Sequence, residues 1–182
     1  MENTTLDENA EPIHFKKIVV VGNEDCGKTQ LIRAFIEVSD SHVSAQYFRD
    51  NAHSNIDIDG TNFSLLICKA PCPQNHKGER SKLYENADVV IICFAVDNMN
   101  SFLCVASKWL REMHENRPDV PLVLVGNKCD LKSQEAAPST ISYDNGLLTA
   151  RNINAYQYVE CSANTKERVL EVFIAAVKAT LE

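Results

Sequence analysis

The chain has 182 residues, long enough for one domain with a sizeable core, and its apolar and charged fractions of 45% and 24% are those of an ordinary soluble protein. A net charge of −7 argues against a general binder of nucleic acid or membrane surfaces. No apolar run reaches the roughly 18 residues of a membrane-spanning helix, and no secretory segment opens the chain. Seven cysteines, an odd number without an export signal, point to free thiols in a reducing, cytoplasmic setting. Cys68 and Cys72 have tolerable metal spacing, but no Cys/His pair lies where it would complete a zinc site.

Residues 1–13 are acidic, polar and aperiodic, and read as a disordered tail ahead of a domain over 14–182. Glu2 excludes N-myristoylation, which needs glycine there. Ile18 to Val21 reads as a buried strand. Thr29 to Val38 reads as a helix, with Leu31, Ile32, Phe35 and Ile36 at helical spacing. Ser39 to Asn55 is polar and irregular, a long loop. Ile56, Ile58, Phe63, Leu65 and Ile67 flank Asp59-Gly60, a strong hairpin signal. Ala70 to Asn86 is again irregular, with Pro71, Pro73 and Gly78. Val89 to Val96 is a continuous apolar strand, as a sheet covered on both faces requires. Ser101 to Asn116 is helical, with Phe102, Val105, Trp109, Leu110 and Met113 in register, and Pro118 and Pro121 stop it. Trp109 reads as packing. Val120 to Val125 is another buried strand, Tyr143 to Ile153 a helix, and Tyr158 to Cys161 a short strand. Thr165 is the expected cap of a last helix carrying Val169, Leu170, Phe173, Ala176 and Val177 on one face. Strands alternating with helices predict an α/β fold of three layers. Its sheet has six strands, mostly parallel, one of them an antiparallel edge strand from the hairpin. The basic run His76, Lys77, Arg80 and Lys82 reads as a solvated loop.

Two motifs carry chemistry. Gly22-Asn-Glu-Asp-Cys-Gly27-Lys28-Thr29, between a strand and a helix, has the G-x-x-x-x-G-K-T pattern of a phosphate-binding loop. Its glycines let backbone N–H groups close around an anion, and the helix N-terminus adds partial positive charge. In this pattern Lys28 reaches the outer phosphates and Thr29 ligates Mg²⁺. Four fixed positions arise by chance in a chain this long less than about once in a hundred. The second motif, Asn127-Lys128-Cys129-Asp130, follows a buried strand. Asp130 can accept from the N1–H and exocyclic amine of guanine, a donor pair that adenine lacks. Ser162-Ala163 follows the last strand, where a backbone N–H can meet the guanine oxygen. Both motifs begin at carboxyl ends of strands and so share one pocket.

With these motifs, the chain resembles a small GTPase of the Ras superfamily, and within it the Rho family, on its Rac-like side. The resemblance runs from about Phe15 to Leu181 and is carried by KWLREMHENRPDVPLVLVGNKCDL (108–131). Thr140, Tyr143, Gly146, Ala150, Arg151 and Glu160 to Ala163 carry the rest. It implies a GTP or GDP site built from Gly22, Asp25, Cys26, Gly27, Lys28, Thr29 and Gln30. Asn127, Lys128, Asp130, Ser162, Ala163 and Asn164 complete it, and Thr29 is the residue for the metal. The segment 132–139 is several residues shorter than the inserted helix usual in Rho proteins. This sequence shows neither the CaaX cysteine nor the polybasic tail with which Rho proteins reach membranes, so no lipid anchor is visible in it.

Matched to that family without gaps, the switch regions depart from it. The first-switch threonine that meets Mg²⁺ and the γ-phosphate is replaced by Tyr47, and the aromatic that leans on guanine by Asp40. The second-switch D-T-A-G-Q is replaced by Lys69-Ala70-Pro71-Cys72-Pro73. A cation thus stands in place of the metal's carboxylate, and a proline in place of the glutamine that orients water. Glu24 stands in place of a small residue near the γ-phosphate, where an activating protein's arginine would meet it. These losses predict negligible GTP hydrolysis, no catalytic residue, and Mg²⁺ binding that is weak or absent. Lys69 could stand in for Mg²⁺ beside phosphates, or pair with Glu24 or Asp25 and fill the pocket. Three readings follow. One is a Rho-like pseudo-GTPase, monomeric on its own, that meets protein partners through 39–55 and 70–86. Another is a GTP-binding, hydrolysis-poor GTPase held in one state. The third is an active GTPase with rearranged chemistry. Bound nucleotide separates the first from the others, and turnover separates the third.

Overall fold

Successive side chains of a strand point to opposite faces. Ile18 and Val20 therefore face one side of the first strand and Val19 and Val21 the other, and all four are fully buried. Such a strand needs cover on both faces. The computed structural model, which describes residues 14–39, 46–48, 50–133 and 140–182, supplies it with helices on each side of one sheet. The strands are β1 (His14–Val21), β2 (Gln46–Phe48), β3 (Asn51–Ile58), β4 (Thr61–Lys69), β5 (Val89–Ala95), β6 (Leu122–Asn127) and β7 (Gln157–Glu160). Their order is β2-β3-β4-β1-β5-β6-β7. β4, β1, β5, β6 and β7 are parallel, with Ile18 opposite both Ile67 and Val89. β3 runs antiparallel to β4. The six expected strands are present, and β2 adds a short seventh at the edge.

Helices α1 (Lys28–Val38) and α6 (Val169–Ala179) cover one face, where Phe35 stacks on Phe173 with ring centroids 3.9 Å apart. The other face is covered by α2 (Lys77–Tyr84), α3 (Met99–Cys104), α4 (Arg111–Asn116) and α5 (Tyr143–Asn152). A π-helical stretch, Val105–Leu110, joins α3 to α4 within the expected helix. At its centre Trp109 is completely buried. Among the described residues, no helix is long and apolar enough to cross a membrane.

Several local expectations are corrected. The stretch 39–55 is not all loop, because β2 and the start of β3 lie in it. The inward positions of β3 are Ala52, Ser54, Ile56 and Ile58, and the first two are small or polar, which hides the alternation. The stretch 70–86 contains α2, whose buried residues are Arg80 and Tyr84 rather than aliphatics. Arg80 therefore does not belong to a solvated loop. Thr165 does not cap the last helix. Its N–H donates to Ser162 Oγ (3.0 Å), and α6 begins only after Arg168, which has a left-handed φ of 55°. The β3–β4 turn matches its signal, with Asp59 and Gly60 both at positive φ (54° and 84°), as a two-residue primed turn demands. Residues 1–13, Asp40 and 134–139 lie outside the described residues, and of Tyr47 only its place in β2 is described.

The α5–β7 packing yields a test. A Cβ on Gly146 would lie 2.2 Å from the ring and hydroxyl of Tyr158, itself 4% exposed. Gly146→Ala is expected to destabilise the protein by about 2 kcal/mol in urea unfolding, the cost of overpacking. Gly78→Ala in α2, where a Cβ meets nothing within 4 Å, should raise stability by a few tenths of a kcal/mol, roughly the propensity gain.

Candidate nucleotide site

The phosphate loop leaves β1 at Gly22, where a Cβ would sit 2.2 Å from the Cys93 carbonyl oxygen, so only glycine lets the chain pass β5. Asp25 and Gly27 take positive φ (59° and 90°), and Lys28 opens α1. Lys28 is 9% exposed and spans the loop, its ammonium donating to the carbonyls of Gly22 (2.8 Å) and Asn23 (2.7 Å). The indole N–H of Trp109 donates to Asn23 Oδ1 (2.9 Å), so the tryptophan is an anchor of the loop as well as packing. Beneath the loop, a hydrogen bond with the Cys93 thiol and the charge of Lys28 hold the buried Cys26 thiol down at about 7, against the effect of burial.

Asn127, at the end of β6, joins three loops. Its amide donates to the Cys26 carbonyl (2.9 Å), and its Oδ1 accepts from the N–H groups of Lys128 (2.8 Å) and Ala163 (3.1 Å). Lys128 turns with φ 66° and aligns its ammonium 3.8 Å from Asp97. Asp130 stands at the mouth. Asn164 donates to its Oδ2 at 3.5 Å, while its Oδ1 is buried without a hydrogen-bond partner. An orphaned carboxylate oxygen in this position fits a ligand that offers an N–H donor.

Two adjoining cavities of about 600 and 580 Å³ share Gly27, Gln30 and Lys128. The first is walled by Asn127, Asp130, Ala163 and Asn164, with Arg33, Glu37 and Lys166 on its outer side. The second is walled by Asp25, Lys28, Thr29, Glu24, Asp50 and Lys69. Together they make a cleft with a base-sized end and an end ringed by charge. Gly22, Cys26 and Ser162 lie behind its walls. Ser162 is fully buried and holds its own loop through Thr165.

The second-switch segment is the part that the sequence describes least. The Lys69 ammonium meets Asp50 Oδ1 at 2.7 Å and Thr29 Oγ1 at 3.4 Å, and neither Glu24 nor Asp25. Residues 71–73 are fastened from behind by Arg80, which is fully buried. One guanidinium nitrogen donates to the carbonyls of Pro71 (3.0 Å), Cys72 (3.4 Å) and Pro73 (2.7 Å). The other two donate to Glu112, each at 2.7 Å, and these bonds hold the Arg80 pKa above its usual value. Tyr84 donates to the same carboxylate (3.2 Å), and Lys108 donates to the Cys72 carbonyl (3.2 Å) while lying 4.2 Å from the Trp109 ring centre. The signal for this brace was the helical spacing of Arg80 and Tyr84, which puts both on one face.

A phosphate loop and an Asn-Lys-x-Asp loop, brought together at the carboxyl edge of a mainly parallel sheet, define a small GTPase-type domain. The chain belongs to the Ras family, whose model matches residues 17–182. Its relatives include the Rho-related GTP-binding protein RhoB of Homo sapiens and of Mus musculus. Each is 35% identical over 175 residues, covering 92% of this chain and 89% of the relative. The GTP-binding protein rho3 of Schizosaccharomyces pombe is 35% identical over 171 residues, covering 92% and 83%.

The brace behind the second switch gives a stability test. Glu112→Ala would leave the buried Arg80 charge without its partner, which costs about 3–5 kcal/mol. That loss is expected in urea unfolding. A loss below about 1 kcal/mol would mean that Arg80 finds other acceptors.

Proposed function

We propose that this chain is a Rho-like, GTP-binding but hydrolysis-poor GTPase held in one state, on the Rac-like side of the family. It holds guanine nucleotide without significant hydrolysis and serves in cytoplasmic signalling as a protein-interaction module, through the surfaces over 39–55 and 70–86. The observation that carries this is Pro73. It stands where the family's water-orienting glutamine belongs, it has no amide to offer, and its carbonyl is engaged by Arg80 at 2.7 Å. Water and charge positioning supply most of the rate in this chemistry, so their loss removes several powers of ten. The fastening of Pro71, Cys72 and Pro73 supports a surface that keeps one shape rather than cycling. The seven free thiols agree with a reducing compartment.

The unpartnered Asp130 oxygen favours retained nucleotide over an empty pocket. Asp130 offers guanine a charged acceptor, and Lys28 and the loop N–H groups offer the phosphates donors. Its relatives RhoB and rho3, GTP-binding proteins by name, point the same way.

Three measurements test this. Purified protein, denatured and analysed by anion-exchange chromatography, is expected to release stoichiometric GDP or GTP. Asp130→Ala is expected to weaken guanine nucleotide binding roughly 100-fold, the worth of about two hydrogen bonds to a charged group. Protein loaded with GTP is expected to turn over at least about 100-fold more slowly than the roughly 4 × 10⁻⁴ s⁻¹ intrinsic to a Ras GTPase. Turnover within tenfold of that value would establish an active GTPase instead.

A further inference from the structure

The family resemblance assigns Mg²⁺ to Thr29, and the residues around Thr29 do not fit that ion. The Lys69 ammonium lies 3.4 Å from Thr29 Oγ1, the hydroxyl with which this loop pattern ligates Mg²⁺. A divalent cation there would meet a like charge. Asp50, whose carboxylate lines the same cavity, pairs with Lys69 at 2.7 Å.

We propose that Lys69 is the built-in counter-cation of the phosphate end, so that this chain binds GDP or GTP independently of Mg²⁺. This rests on the reading above that guanine nucleotide is held at all. Lys69 is the last residue of β4, and its N–H donates to the Asp50 carbonyl (2.7 Å), which fixes the root of the side chain at the mouth of the cleft. The ammonium shares a cavity with Lys28, Thr29 and the loop. Lys28 and Lys69 together bring two positive charges to a polyphosphate from opposite walls. The pair with Asp50 is no obstacle. The Asp50 side chain is 63% exposed, and such pairs are weak, so a phosphate displaces it readily. Unlike a metal ion, this cation is covalently part of the sheet and no chelator can remove it.

The test uses the full chain, with fluorescently labelled GDP and GTP titrated and then chased in excess MgCl₂ and in excess EDTA. Affinity and release rate are expected to agree within about threefold in the two buffers. Lys69→Met should weaken binding in both buffers by roughly tenfold or more, the worth of one hydrogen bond to a charged group. Lys69→Asp, which puts a carboxylate back beside Thr29, should bind measurably only with Mg²⁺. Circular dichroism of both variants confirms that they are folded, and the methionine variant carries the test if the aspartate variant is not. Wild-type protein that binds in MgCl₂ but releases at least about tenfold faster in EDTA would overturn the proposal and leave the nucleotide reading standing. Wild-type protein that binds in neither buffer would overturn both.

Discussion

The side chain of Asn127 is the tie on which the site depends. It is 1% exposed at the carboxyl end of β6, and three of its hydrogen bonds reach the loop after β1, its own loop and the loop after β7. Those three loops are separate in sequence, and only the parallel sheet brings them to one edge. Parallel pairing sets their height, with Val125 opposite both Cys93 and Val159. The amide then fixes their mutual distance. Gly27 has no Cβ because one would lie 2.3 Å from that amide. The glycine pattern of the phosphate loop is thus in part a requirement of the neighbouring loop, and not only of a phosphate.

A second brace holds the opposite wall. Arg80 and Glu112 are both buried, and a buried charge persists only when paired and hydrogen-bonded. Arg80 meets that demand on Glu112, and its remaining guanidinium nitrogen donates to three consecutive carbonyls of residues 71–73. Two of these residues are prolines, which have no backbone N–H, so the segment cannot be held through donors of its own at those positions. It is held through its acceptors instead. Trp109 joins the two walls, because its indole N–H reaches Asn23 on the phosphate loop while Lys108 and Arg80 lie against its ring.

How much of this was legible in the sequence depended on where the information sits. The β5 run VVIICFA is buried throughout and reads as a covered strand without help. The hairpin was legible because Asp59-Gly60 adopts the backbone that its composition favours. β3 was hidden because Ala52 and Ser54 occupy its buried positions and carry no hydrophobic period. α2 was hidden because its inward face is an arginine and a tyrosine, whose place in a core rests on Glu112, 32 residues from Arg80. The phosphate loop and Asn127 to Asp130 were legible as motifs. The partners of Lys69 were not, since its bonds to Asp50 and Thr29 span strands and loops whose alignment only the fold supplies.

The two walls differ in what they respond to. A ligand shifts a conformational equilibrium only by interacting differently with its two states. In a cycling GTPase the second switch is ordered by γ-phosphate and metal contacts and relaxes when they are lost. Here residues 71–73 are held by Arg80 and Lys108, side chains of the protein itself. The Lys69 ammonium likewise stands on β4 whether or not a phosphate faces it. A small GTPase domain arranged in this way keeps the pocket of its family while the surface beside it is set by the protein's own side chains.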